Sequence, residues 1–205
     1  MVLFVALTAA EGSFARYGTF LYVVKALVVT AALFLFRRPL RDVRFDRRVL
    51  LPASVVGLAV FIEWIVVDPL TPHLSVLGKR SAANPFTAFP DLTHRILFLA
   101  IRFYGLVLMV PVMEEIFWRS FLLRWITKPE FEEVPLGTFN LTAFAVVALF
   151  FGFAHQEWLA AIVCAAAYAI LFRQTRSLYA CIVAHGVTNL ALGLYVLSTG
   201  QWHYW

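Results

Sequence analysis

The feature that most constrains this chain is the recurrence of long apolar runs that almost no charge interrupts. Tyr17 to Phe36 holds one charged residue, Lys25, and Leu50 to Val67 holds one, Glu63. A helix needs about 20 apolar residues to cross a bilayer, and these runs have that length. Composition agrees: 62% of the residues are hydrophobic and 14% are charged. A soluble domain carries about 25% charged residues. The expectation is an all-α, polytopic transmembrane helix bundle of about seven to eight helices. It is read as one domain over residues 1–205, an integral, multi-pass membrane protein.

The order of spans follows from the charges between them. Arg37, Arg38, Arg41, Arg44, Arg47 and Arg48 crowd one short loop, which the positive-inside rule places in the cytoplasm. Arg173 and Arg176 put the "RQTR" linker there too. The net charge of +5 therefore speaks of topology and membrane lipid, not of nucleic acid. A turn-rich loop, Asp68 to His94, carries Lys79 and Arg80, which weigh against that orientation. The apolar run from Arg95 to Thr127 would be about 50 Å long as one helix, too long for a single crossing. Pro111 lies within it and predicts a break into two helices. Further spans are expected at about Thr138 to His155, Glu157 to Phe172 and Ser177 to Ser198. The N-terminus has no basic segment before its apolar start, so no cleaved signal is predicted. Cys164 and Cys181 sit in apolar runs and read as small buried hydrophobes. Trp158, Trp202 and Trp205 read as interfacial anchors.

Ionisable residues inside spans are costly and usually mark function. In "MEEIFWRSF", Glu115 and Arg119 are i and i+4 on a helix, in the favourable order for an ion pair. Glu114 is rotated about 100° from Glu115 and cannot share that partner in the same way. Phe151 and His155 are i and i+4, as are His185 and Asn189, each pair in its own apolar segment. One shared polar cavity would satisfy all of these groups. A glutamate in such a cavity can serve as general base toward a water that a histidine also holds, and a second histidine and an amide can donate to an oxyanion. Glu114, His155 and His185 could instead hold a divalent metal such as zinc. The HExxH signature is absent. Lys25 and Arg102 read as residues that snorkel or line a cavity rim, and Glu63 as a weaker cavity candidate.

The ordered set Glu114-Glu115-x-x-x-Arg119, Phe151-x-x-x-His155 and His185-x-x-x-Asn189 resembles the CPBP family, the CAAX-protease and bacteriocin-processing group of intramembrane endopeptidases. The resemblance covers about residues 102–197. "FEEVPLG" (Phe131 to Gly137), "TGQWHYW" (Thr199 to Trp205) and the stretch Gly78 to Phe86 are similar to a narrower subgroup that accompanies exosortase sorting systems in bacteria, which would imply a bacterial inner membrane. The family resemblance implies an intramembrane endopeptidase acting on a membrane-associated peptide or protein. Glu114 would be the base, His155 would hold the water, and His185 with Asn189 would form the oxyanion site. Glu115, Arg119 and Phe151 would be structural support.

Two other readings stay open at the level of sequence. One is a non-proteolytic scaffold or immunity-type protein of the same family. The other is a proton-coupled transporter, although no internal repeat supports it. A geometric conflict also stands. If Glu157 to Phe172 fully spans, His155 and His185 lie at different depths. A chain break near Gln156-Glu157-Trp158, inside the protein, would bring them closer.

Overall fold

In the computed structural model the protein is a bundle of helices, described over residues 1–74 and 84–205. Lys79 and Arg80 lie outside the described residues, as does most of the stretch Gly78 to Phe86. Among the described residues, seven helices of ten or more residues make the bundle: α1 (Val2–Ser13), α2 (Gly18–Leu35), α3 (Leu50–Val67), α4 (Leu92–Thr127), α5 (Leu141–Phe153), α6 (Trp158–Thr175) and α7 (Leu178–Thr199). Helices α2, α3, α4, α6 and α7 are long and apolar enough to cross a membrane, while α1 and α5 are apolar but shorter. The chain is a multi-pass integral membrane protein.

The two ends of the bundle differ in chemistry. At one end lie the six-arginine loop, the Lys128 to Asn140 loop and the Arg173–Arg176 turn. Arg38 pairs with Glu132 at 2.9 Å, Arg124 reaches Asp42 at 2.7 Å, and the rings of Phe45 and Tyr179 are 5.3 Å apart. At the other end lie the Asp68 to Leu74 segment, the α5–α6 turn and residues 202–205. Both arginine clusters thus share one face, as the charge pattern predicts.

Helix α4 departs from expectation. It does not break at Pro111. It runs unbroken from Leu92 to Thr127, with π-helical segments at Gly105–Met109 and Ile116–Leu122. The reason lies in the backbone hydrogen bonds. The Val110 N–H reaches back to the Gly105 carbonyl, an i to i+5 bond. The next bond of that type would need an N–H on residue 111, and proline has none. The orphaned Leu106 carbonyl is taken up from outside the helix, by the Asn189 side-chain N–H at 2.9 Å. A partner supplied by α7 therefore lets α4 continue through the proline. Gly186 allows the approach, because a Cβ there would sit 2.8 Å from the Val107 carbonyl oxygen.

Helices α3 and α7 pack closely as well. A Cβ at Gly57 would overlap the Ala184 carbonyl oxygen. The Thr188 hydroxyl donates to the Gly57 carbonyl at 2.7 Å, so its contact with the Tyr168 hydroxyl, also 2.7 Å, has Tyr168 as donor. One chain of hydroxyls thus ties α6 to α7 to α3. Helix α1 packs against α2, where buried Lys25 pairs with Glu11 rather than snorkelling. The cysteines are free and buried. Trp205 is also buried, over Phe103 and beside Arg102, so it is a packing residue and not an interfacial anchor.

Candidate active site

The site is built on α4, α5, α6 and α7. Glu115 is its hub. Its Oε1 accepts from Arg119 Nη1 at 3.0 Å and from His185 Nδ1 at 2.9 Å, and both Glu115 and Arg119 are fully buried. The i,i+4 spacing on α4 makes the first contact, and α7 brings the second. Arg119 lies between two rings, 5.0 Å from the Phe151 centroid and 5.5 Å from that of Tyr168. A guanidinium suits this arrangement because its faces stack on rings while its edge donates to the carboxylate. The His185 ring in turn lies 5.7 Å from that of Tyr168.

His155 is held separately, one turn beyond Phe151. Its Nδ1 is 2.7 Å from the Phe151 carbonyl oxygen, and its ring stacks on the Phe151 ring at 4.5 Å. The Trp64 ring meets its other side edge-on at 5.7 Å. A carbonyl only accepts, so Nδ1 carries a proton, and in the neutral form of the ring Nε2 would hold the lone pair. His185 Nδ1 likewise donates, here to the Glu115 carboxylate, which leaves Nε2 as the ring's other polar atom. Both histidines therefore present Nε2 as the working nitrogen.

The depth of His155 is set by the shortness of α5. The chain leaves helical structure at Ala154 and resumes at Trp158. Buried Glu157 sits in that turn, the Leu74 N–H donates to the Gln156 carbonyl at 2.9 Å, and Trp158 Nε1 donates to the Pro72 carbonyl at 3.2 Å. This is the internal break expected near Gln156-Glu157-Trp158. Its consequence follows from the Trp118–Phe151 ring contact at 5.5 Å. Helices α4 and α5 run in opposite directions there. Glu114 lies one turn before Trp118, and His155 one turn after Phe151. Both are thus about one turn from that contact on the same side of it along the bundle.

The predicted residues therefore fall into groups. Glu115, Arg119 and His185 converge directly, with Phe151 under Arg119. Glu114, buried, and His155, half-buried, share one level next to them. Asn189 is one turn along α7 from His185, with one amide N–H engaged by Leu106 and the other left to donate. Among the described residues, no three His, Cys, Asp or Glu side chains are grouped so as to hold a metal ion. The Glu114, His155 and His185 set does not fit a metal in this arrangement. Sequence reasoning missed Tyr168, Trp64 and Trp118, which shape the site as rings. Nothing in their spacing distinguishes them from core aromatics.

The fold and the site define a multi-pass helical membrane protein with a buried Glu/Arg/His cluster beside a second glutamate and histidine. Residues 96–191 are similar to the family model described as type II CAAX prenyl endopeptidase Rce1-like. The matched segment is just under half of the chain and contains every predicted site residue. That family is one of CAAX proteases. No curated protein and no solved structure matches the chain.

Proposed function

We propose that the protein is an intramembrane endopeptidase that hydrolyses a peptide bond of a membrane-associated peptide or protein. One observation supports the assignment of roles. Glu115 Oε1 is held by both Arg119 and His185, whereas Glu114 and His155 each lie one turn from the Trp118–Phe151 contact, on the same side of it along the bundle. In this reading Glu114 takes a proton from a water that His155 orients through Nε2. The hydroxide adds to the scissile carbonyl. The second N–H of Asn189 and, when the ring is protonated on both nitrogens, His185 Nε2–H stabilise the oxyanion, and protonated Glu114 returns its proton to the leaving amine. Arg119 and Glu115 fix the position of His185, and Phe151 fixes that of His155. The substrate reaches the site from the bilayer, so its membrane attachment is part of recognition.

The test uses purified protein in proteoliposomes with two reporter peptides, one farnesylated at a CAAX-type terminus and one anchored by a hydrophobic helix. Cleavage of either is expected to fall by about 10²-fold or more in Glu114→Gln and His155→Ala, in keeping with the usual contribution of a general base. Wild-type cleavage by Glu114→Gln would overturn the assignment.

A further inference from the structure

A second polar cluster lies outside the machinery above, at the end of the bundle away from the arginines. Asp68, at the end of α3, is buried, yet its carboxylate is the meeting point of two distant segments. Oδ1 lies 2.6 Å from His73 Nε2, and Oδ2 accepts from the Tyr204 hydroxyl at 2.6 Å, with His203 Nε2 3.8 Å away. Burial and the Asp68 carboxylate push the Tyr204 hydroxyl above its ordinary pKa, so it is the donor. The rings of His73 and His203 stack at 6.4 Å, and Trp205 continues the segment onto Phe103 of α4.

What this cluster holds is adjacent to the site. Leu74 follows His73 directly, and its N–H is bonded to the Gln156 carbonyl. Pro72 precedes His73 and is bonded to the Trp158 indole. The 72–74 segment is therefore stitched to the turn on the far side of His155, while Phe151 holds His155 from the near side. We infer that Asp68 is a positioning residue for His155, acting through His73 and the 72–74 strap, and that residues 202–205 are the clasp that keeps Asp68 engaged. This inference rests on the role of His155 proposed above. It gives the "WHYW" segment a function, holding one catalytic histidine in register.

The test reads His155 itself. ¹⁵N-histidine spectra of the full chain in lipid nanodiscs report which ring nitrogen is protonated, with His155 and His185 assigned by single substitution. Wild type is expected to show His155 protonated at Nδ1. Asp68→Ala and Tyr204→Phe are expected to move His155 toward a mixture of tautomers, with His185 unchanged on Glu115. Cleavage should fall through kcat with little change in KM. Rescue by Asp68→Glu, which restores a carboxylate, is expected to be partial. An unchanged His155 signal in both variants overturns the inference, and so does a parallel change at His185, which would make Asp68 a general stabiliser. Glu114→Gln, expected to be inactive, should leave the His155 signal as in wild type. The tautomer result therefore stands or falls separately from the proposed chemistry.

Discussion

Two buried carboxylates organise this molecule in different ways. Glu115 lies in the middle of the bundle, and its partners Arg119 and His185 are buried with it. Asp68 lies at one end, and its histidine partners are about half exposed, at 41% for His73 and 47% for His203. The first compensates a charge where no water can help, so it is an ion pair braced by rings. The second can exchange its partners with solvent, so it behaves as a fastening. The same element, a carboxylate with a histidine, becomes a brace or a clasp according to depth.

The largest effect should come from cutting the brace on one side. Arg119→Met leaves Glu115 buried without its cation and is expected to cost about 3–5 kcal/mol. Unfolding in mild detergent would show it, with much of the loss recovered in the double variant Arg119→Met/Glu115→Gln. A loss no larger than that of Asp68→Ala would erase the distinction between brace and clasp. Next comes the backbone approach that sets α7 in place. Gly57→Ala is expected to destabilise by about 1–3 kcal/mol, because the added Cβ meets a carbonyl that cannot move aside. Tyr204→Phe removes one hydrogen bond to a carboxylate and should cost about 1.5–3 kcal/mol at most, readable as a shift in thermal midpoint. The smallest effect is a pH dependence confined to the clasp. The Tyr204 pKa is raised in the folded chain, so its contribution is full below the ordinary tyrosine value of 10.0 and is lost as pH rises beyond it. Stability of the wild type should therefore fall in that alkaline range more steeply than that of Tyr204→Phe.

Much of this was legible from residue spacing. The limits of α3 coincide with the apolar run Leu50 to Val67, and the Glu115–Arg119 pair is formed as its i,i+4 spacing requires. The three motifs were legible because each is local in sequence. The failures were non-local. Pro111 reads as a break until Asn189, 78 positions further on, is seen to replace the missing donor at its π turn. Helix α1 escaped notice because its apolar run is short and interrupted by Glu11, whose cost is offset by Lys25 of α2. The Asp68 cluster joins a turn-like "DPLTP" to an aromatic "WHYW", and neither stretch signals the other. Trp205 looked like an anchor for lipid because nothing in its own neighbourhood reveals Arg102 and Phe103 beneath it.

The shortness of α5 has a consequence for the bilayer. Thirteen residues rise about 20 Å, against a hydrocarbon layer about 30 Å thick. Lipid beside α5 must thin, or else the missing length must be filled by polar chain, here the strap at residues 72–74 and the turn at Gln156. Either way the polar boundary dips toward His155 from the face opposite the arginines. The hydrolysis proposed above would consume one water per turnover, and this local dip would shorten the path that water must travel.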